Sequence, residues 1–175
     1  MSPVGSTPGG PPPPPSQGSE GHRSFMRRAV ALAREGMEKG RGGPFGAVVV
    51  SAGRIVGEGC NSVTSTCDPT AHAEVVAIRS ACAALGRFDL RGCDVYASCE
   101  PCPMCLAALY WARVDRVFYA NDRGDAARIG FDDADIYREL ALPTPERSLP
   151  VLRLADPEAR HCFDEWMRKA DRVPY

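Results

Sequence analysis

Three candidate metal ligands, split between two separate segments, constrain this chain more than any other feature. His72 stands in His72-Ala73-Glu74, and Cys102 and Cys105 stand downstream in Pro101-Cys102-Pro103-Met104-Cys105. Apolar periodicity marks one helix over 71–85, closed by Gly86, and Pro103 opens a second that runs on to Trp111. If the three side chains share one ion, the starts of these two helices must meet at one point. A Cys-x-x-Cys in a first helical turn directs both sulfurs to one side, where the positive helix end helps keep them ionised. Two thiolates and an imidazole suit Zn2+ and leave the fourth tetrahedral position to water, the arrangement of a catalytic site. Such water loses a proton near neutral pH. Glu74, two residues from His72, is read as the carboxylate that takes that proton and returns it.

Two other readings of the same residues stay open. Cys99, Cys102 and Cys105 form C-x2-C-x2-C, a fragment of an iron–sulfur pattern that lacks its fourth cysteine. Alternatively, Cys99 closes a structural Cys3His zinc site and leaves no room for water. The remaining cysteines, Cys60, Cys67, Cys82, Cys93 and Cys162, are read as small buried hydrophobes with no role. No role falls to His22 or His161 either.

The 175 residues suit one compact domain plus a tail, with 44% hydrophobic and 25% charged residues. A net charge of −1 supplies no bulk positive field for phosphates, so a small molecule is expected as substrate and nucleic acid is not. Neither a secretory leader nor a membrane-spanning run is read, and a cytoplasmic location with reduced thiols is expected.

Residues 1–22 form a Pro- and Gly-rich extension, with an unbroken proline run from Pro11 to Pro15, expected to be disordered. The folded body with the candidate zinc site is assigned to 23–155 and a C-terminal helix and tail, expected on the partner subunit if exchanged, to 156–175. Ser24 reads as the N-cap of an amphipathic helix reaching Gly40. Strands are expected at 45–50 and 55–58, joined through Ala52-Gly53-Arg54, and again at 94–98 and 116–120. Helices are expected over 132–142 and 157–170. The alternation predicts an α/β fold, a three-layer α-β-α sandwich around a mixed five-stranded sheet.

The H-x-E and P-C-x-x-C pair is the pattern of zinc deaminases of nucleobases. With Gly43-Pro44-Phe45-Gly46-Ala47-Val48, Asp68-Pro69-Thr70-Ala71, Tyr110-Trp111-Ala112-Arg113 and Gly130-Phe131-Asp132-Asp133, the chain resembles the bacterial guanine deaminase family of the cytidine deaminase-like superfamily. The resemblance extends from about Phe25 to Tyr175. It implies zinc-dependent hydrolysis of guanine to xanthine and ammonia, with zinc hydroxide attacking C2. It places Phe45 against the purine face and Asn61, Ala71 and Trp111 around the base, and makes Asp133 a second carboxylate that recognises the ring and assists proton transfer. It further implies a homodimer in which the C-terminal segment is exchanged and Tyr175 closes the partner's site. Other ring deaminases, including those of tRNA adenosine, cytosine and aminotriazines, share the metal pattern. A structural zinc module acting through its Pro-rich arm is the alternative from outside enzymology.

Overall fold

The computed structural model describes residues 20–174. Helix α1 (Glu20–Glu38) precedes the hairpin β1 (Gly46–Ser51) and β2 (Arg54–Cys60). A short α2 (Val63–Thr66) leads to α3 (Ala73–Leu85), β3 (Cys93–Cys99), α4 (Pro103–Ala112) and β4 (Arg116–Asn121). Beyond these lie α5 (Arg123–Arg128), α6 (Ala134–Ala141) and α7 (Pro157–Arg168). The sheet order is β2-β1-β3-β4, with β1 antiparallel to both neighbours and β3 parallel to β4. The parallel pair is joined through α4, the crossover that a parallel connection requires.

Both faces of the central strands are covered, which is why β1 reads as an unbroken apolar run. Ala47 and Val49, with Val95 and Ala97 of β3, pack towards Ala73, Ala77 and Ala81 of α3 and Leu109 of α4. Val48, Val50 and Tyr96 face Leu32, Phe25 and Met26 of α1. Glycine sets how closely α3 approaches β2. A Cβ at Gly59 would lie 2.2 Å from the Ala73 carbonyl oxygen and 2.6 Å from the Ala77 nitrogen. The first turn of α3, which carries His72 and Glu74, therefore rests on bare backbone.

Four strands are present among the described residues, one fewer than expected. A strand exists only where a ladder partner takes its backbone groups. The sequence assigned no position to a fifth strand, and the apolar stretch through Val151, Leu152 and Leu154 runs exposed and unladdered, with Leu154 at 95% accessibility. The start of α1 also departs from expectation: Ser24 is not its N-cap, because the helix begins at Glu20 and the Ser24 hydroxyl donates to the Gly21 carbonyl within it. Tertiary contact supplies the extra turn. His22 Nδ1 lies 2.6 Å from the Tyr96 hydroxyl, and the His22 ring sits 4.9 Å from that of Phe118. His22 is thus a packing residue in the first turn of α1. The rest of the Pro-rich extension lies outside the described residues. Cys67 and Cys162 are exposed, contrary to their reading as buried hydrophobes, whereas Cys60 and Cys93 are buried. Among the described residues no helix is long and apolar enough to cross a membrane.

Replacing Gly59 by alanine is expected to lower stability by about 1–3 kcal/mol, because the new methyl group must push α3 away from β2. A thermal melt matching that of the wild type would show that the contact is not limiting.

Candidate metal centre

His72 and Cys102 occupy equivalent positions at the heads of their helices. Each is an N-cap in extended conformation, His72 at φ −67° and ψ 155° and Cys102 at φ −64° and ψ 168°, and neither side chain caps its own helix. The side chains are therefore directed to something else. His72 Nδ1 lies 3.5 Å from the Cys102 sulfur and 3.5 Å from the Cys105 sulfur. All three donor atoms fall within 4.8 Å of one another. Zinc–sulfur and zinc–nitrogen bonds of about 2.3 and 2.0 Å at a tetrahedral angle separate N from S by about 3.5 Å. The donor set fits Zn2+ in element type, spacing and geometry.

The protonation pattern agrees with that use. The neighbouring Cys105 thiol, and then His72, hold the Cys102 thiol down at about 4. Cys105 is pushed up, first by its bond to Cys102 and then by burial. The Cys102 sulfur raises His72.

Glu74 is 7% exposed, and its Oε2 lies 3.4 Å from the Cys105 sulfur. Burial pushes its carboxyl up, so it is a carboxylate able to carry a proton. Cys99 is placed differently. Its sulfur faces the Asp122 carbonyl oxygen at 3.6 Å, and burial pushes its thiol up to about 11. Cys99 lies outside the His72–Cys102–Cys105 group, which leaves both the iron–sulfur and the Cys3His readings without their extra ligand.

Of the residues expected around a base, Ala71 and Asp133 lie beside the cluster. Asn61 is buried, and its amide oxygen accepts from the Gly43 and Val63 nitrogens, each at 3.3 Å. That fixes the amide and keeps its N–H2 as the donating end. Ala71 is buried immediately before His72. Phe45 meets Phe131 edge to face, centroids 4.9 Å apart at 89°. It also borders a cavity of about 300 Å3 shared with Cys99, Asn121, Asp125 and Ile129. Asp133 is the half-buried N-cap of α6 but makes no capping bond; Asp132 bonds the Ala134 nitrogen instead. Burial, and then the Cys102 sulfur, push the Asp133 carboxyl up, so it lies within electrostatic reach of the cluster.

Trp111 stands on the outward side of α4. It is 69% exposed, because six residues of helix beyond Cys105 turn it about 120° away from the buried face. Tyr175 lies outside the described residues. Sequence reasoning gave no role to Tyr137, Arg123 or Glu100 and quoted Phe131 only within its motif. Tyr137 left a signal, one turn beyond Asp133 on the expected helix.

Residues 19–121 match the model of the cytidine and deoxycytidylate deaminase zinc-binding region. Guanine deaminase from Bacillus subtilis (strain 168) is 52% identical over 154 residues, spanning 88% of this chain and 99% of the relative. The X-ray structure of that species' guanine deaminase superposes with a TM-score of 0.85, covering 98% of its chain. A guanine deaminase from Nitrosomonas europaea, at 29% identity, aligns over 73% of this chain and 77% of its own with a TM-score of 0.61. A tRNA-specific adenosine deaminase from Aquifex aeolicus is 41% identical over 57% of this chain and 66% of its own.

Cys102→Ser and Cys105→Ser are expected to lose zinc on purification, whereas Cys99→Ser retains the wild-type complement. Metal analysis of the three variants decides it, and zinc loss in Cys99→Ser would restore the four-ligand structural site.

Proposed function

The chain belongs to the bacterial guanine deaminase family of zinc-dependent deaminases, and on that premise we propose that it hydrolyses guanine to xanthine and ammonia. The observation that carries this reading is identity of 52% over 99% of the Bacillus subtilis guanine deaminase. The tRNA-specific adenosine deaminase of Aquifex aeolicus matches only 57% of the chain, against 88% for the guanine deaminase.

When bound by His72, Cys102 and Cys105, zinc supplies a Lewis acid that brings the pKa of water close to neutrality. The protein's own groups do the rest. Glu74 takes one proton from water as the oxygen bonds to C2 of guanine, and passes it to the adjacent ring nitrogen. It then transfers the second proton of that water to the exocyclic amine, whose bond to C2 breaks to release ammonia. Its raised affinity for protons, due first to burial, suits a group that must accept and give up a proton at neutral pH. Phe45 offers an aromatic wall to the purine. Asn61 presents amide N–H donors to ring acceptors, and Asp133 accepts from ring N–H donors, a contact that discriminates strongly against bases lacking them.

The C-terminal arm extends the proposal to a homodimer. Phe163, Met167 and Leu152 are 77%, 64% and 87% exposed on a segment that buries none of its α7 residues in its own chain. A second copy of the chain is the natural cover for so much apolar surface. In that dimer Tyr175 closes the partner's base pocket, and Trp111 contributes at the same interface. The eight cysteines form no disulfide, which suits a cytoplasmic enzyme of purine breakdown and salvage.

The purified zinc protein is expected to release ammonia from guanine and to leave adenine and cytosine untouched. Glu74→Gln should keep its zinc and lose at least about 10³-fold in kcat; near wild-type turnover would remove Glu74 from the proton path. Deleting 171–175 should sharply reduce guanine turnover with an unchanged melting curve, and unaltered kinetics would remove the lid.

A further inference from the structure

Asp133 owes its position to a helix with little of its own to hold it. α6 spans eight residues, too few for stability in isolation, and buries none of them fully; Ile136 and Leu140 are mostly exposed. A few side-chain contacts grip the segment. Before the helix, the Phe131 ring meets Phe45. Within it, Tyr137 is half-buried, and its hydroxyl donates to the Pro101 carbonyl oxygen at 3.3 Å, the residue directly before Cys102. The Arg123 guanidinium lies 4.9 Å from the Tyr137 ring centroid. Arg123 is itself held, its backbone N–H donating to the Glu100 carboxylate at 3.2 Å. The Glu100 N–H in turn donates to the Asn121 carbonyl at 2.8 Å, at the end of the sheet. A chain of contacts thus runs from the rigid sheet to the Tyr137 ring.

Tyr137 follows Asp133 by four residues, and its N–H donates to the Asp133 carbonyl at 3.2 Å in the first turn of α6. Residues so spaced share one helix face. Whatever fixes the Tyr137 ring therefore fixes the azimuth of Asp133. We infer that Tyr137 is a positioning residue, whose hydroxyl bond to Pro101 and stacking under Arg123 clip α6 to the metal-bearing turn and so hold Asp133 against the base. The inference rests on the guanine reading above. Tyr137 acts through Asp133, its own side-chain contacts being to Pro101 and Arg123.

Tyr137→Phe keeps the ring and its cation–π contact and removes only the hydroxyl bond. It should lower kcat/KM for guanine about 3–10-fold, the scale of one neutral hydrogen bond, with zinc content and melting temperature unchanged. The same substitution in an Asp133→Asn background should cost nothing further, because the residue it positions has already lost its charge. Equilibrium binding of the product xanthine provides a second cycle that does not depend on turnover, with Tyr137→Phe weakening it only when Asp133 is present. Equal losses in both backgrounds, or zinc loss from Tyr137→Phe, would overturn the inference and make the tyrosine a prop for the Cys102 turn. An unchanged Tyr137→Phe in an enzyme active on guanine overturns the inference alone. A wild-type protein inert towards guanine overturns both.

Discussion

Everything at this site depends on two helices beginning at the same place. α3 and α4 lie on one side of the sheet, and their N-caps, His72 and Cys102, are the chemically active residues. Each helix start contributes about half a positive charge from unsatisfied N–H groups. Their convergence creates a small electropositive volume that favours thiolate and carboxylate alike. The geometry in turn depends on close approach. α3 rests on β2 across Gly59, and α4 returns against α3 and β3 through Leu109 and Ala112.

That convergence explains why a buried acid is tolerated. Glu74 sits almost fully enclosed with the Cys105 sulfur as its neighbour, a placement that burial alone opposes. A dication between the thiolates would compensate it, so metal loading and the charge state of Glu74 belong to one electrostatic unit. Cys99, one strand end away, stays a neutral thiol facing a carbonyl oxygen, which preserves the three-ligand character of the set.

The molecule divides into a rigid half and a lightly held half. From α1 to β4, both sheet faces are packed and the metal ligands stand on its ends. Beyond Asn121 the helices α5, α6 and α7 bury none of their residues, although Asp133 belongs to this part. In the proposed function, chemistry is carried by the core, while base recognition falls to segments held by a few side chains such as Phe131 and Tyr137. Such segments can admit and release a flat substrate without disturbing the ligand cage.

The amino-acid sequence by itself determined what is local: the set of candidate ligands, the acid two residues from His72, the helix starts and the alternation that gives a mixed sheet. These follow from spacing and period, which nearest neighbours along the chain set. Tertiary structure decided which sulfur is left out, since Cys99 and Cys102 differ only in the strand and turn that aim them. It also placed Trp111 on an outer face, extended α1 back to Glu20 through His22 and Tyr96, and left Val151 to Leu154 without a strand partner. The link from Tyr137 to Pro101 crosses two elements that share no periodic pattern, so no spacing rule announces it. Contacts of that kind arise only when distant segments are packed together, because a side chain's partner there depends on the whole fold and not on its neighbours in the chain.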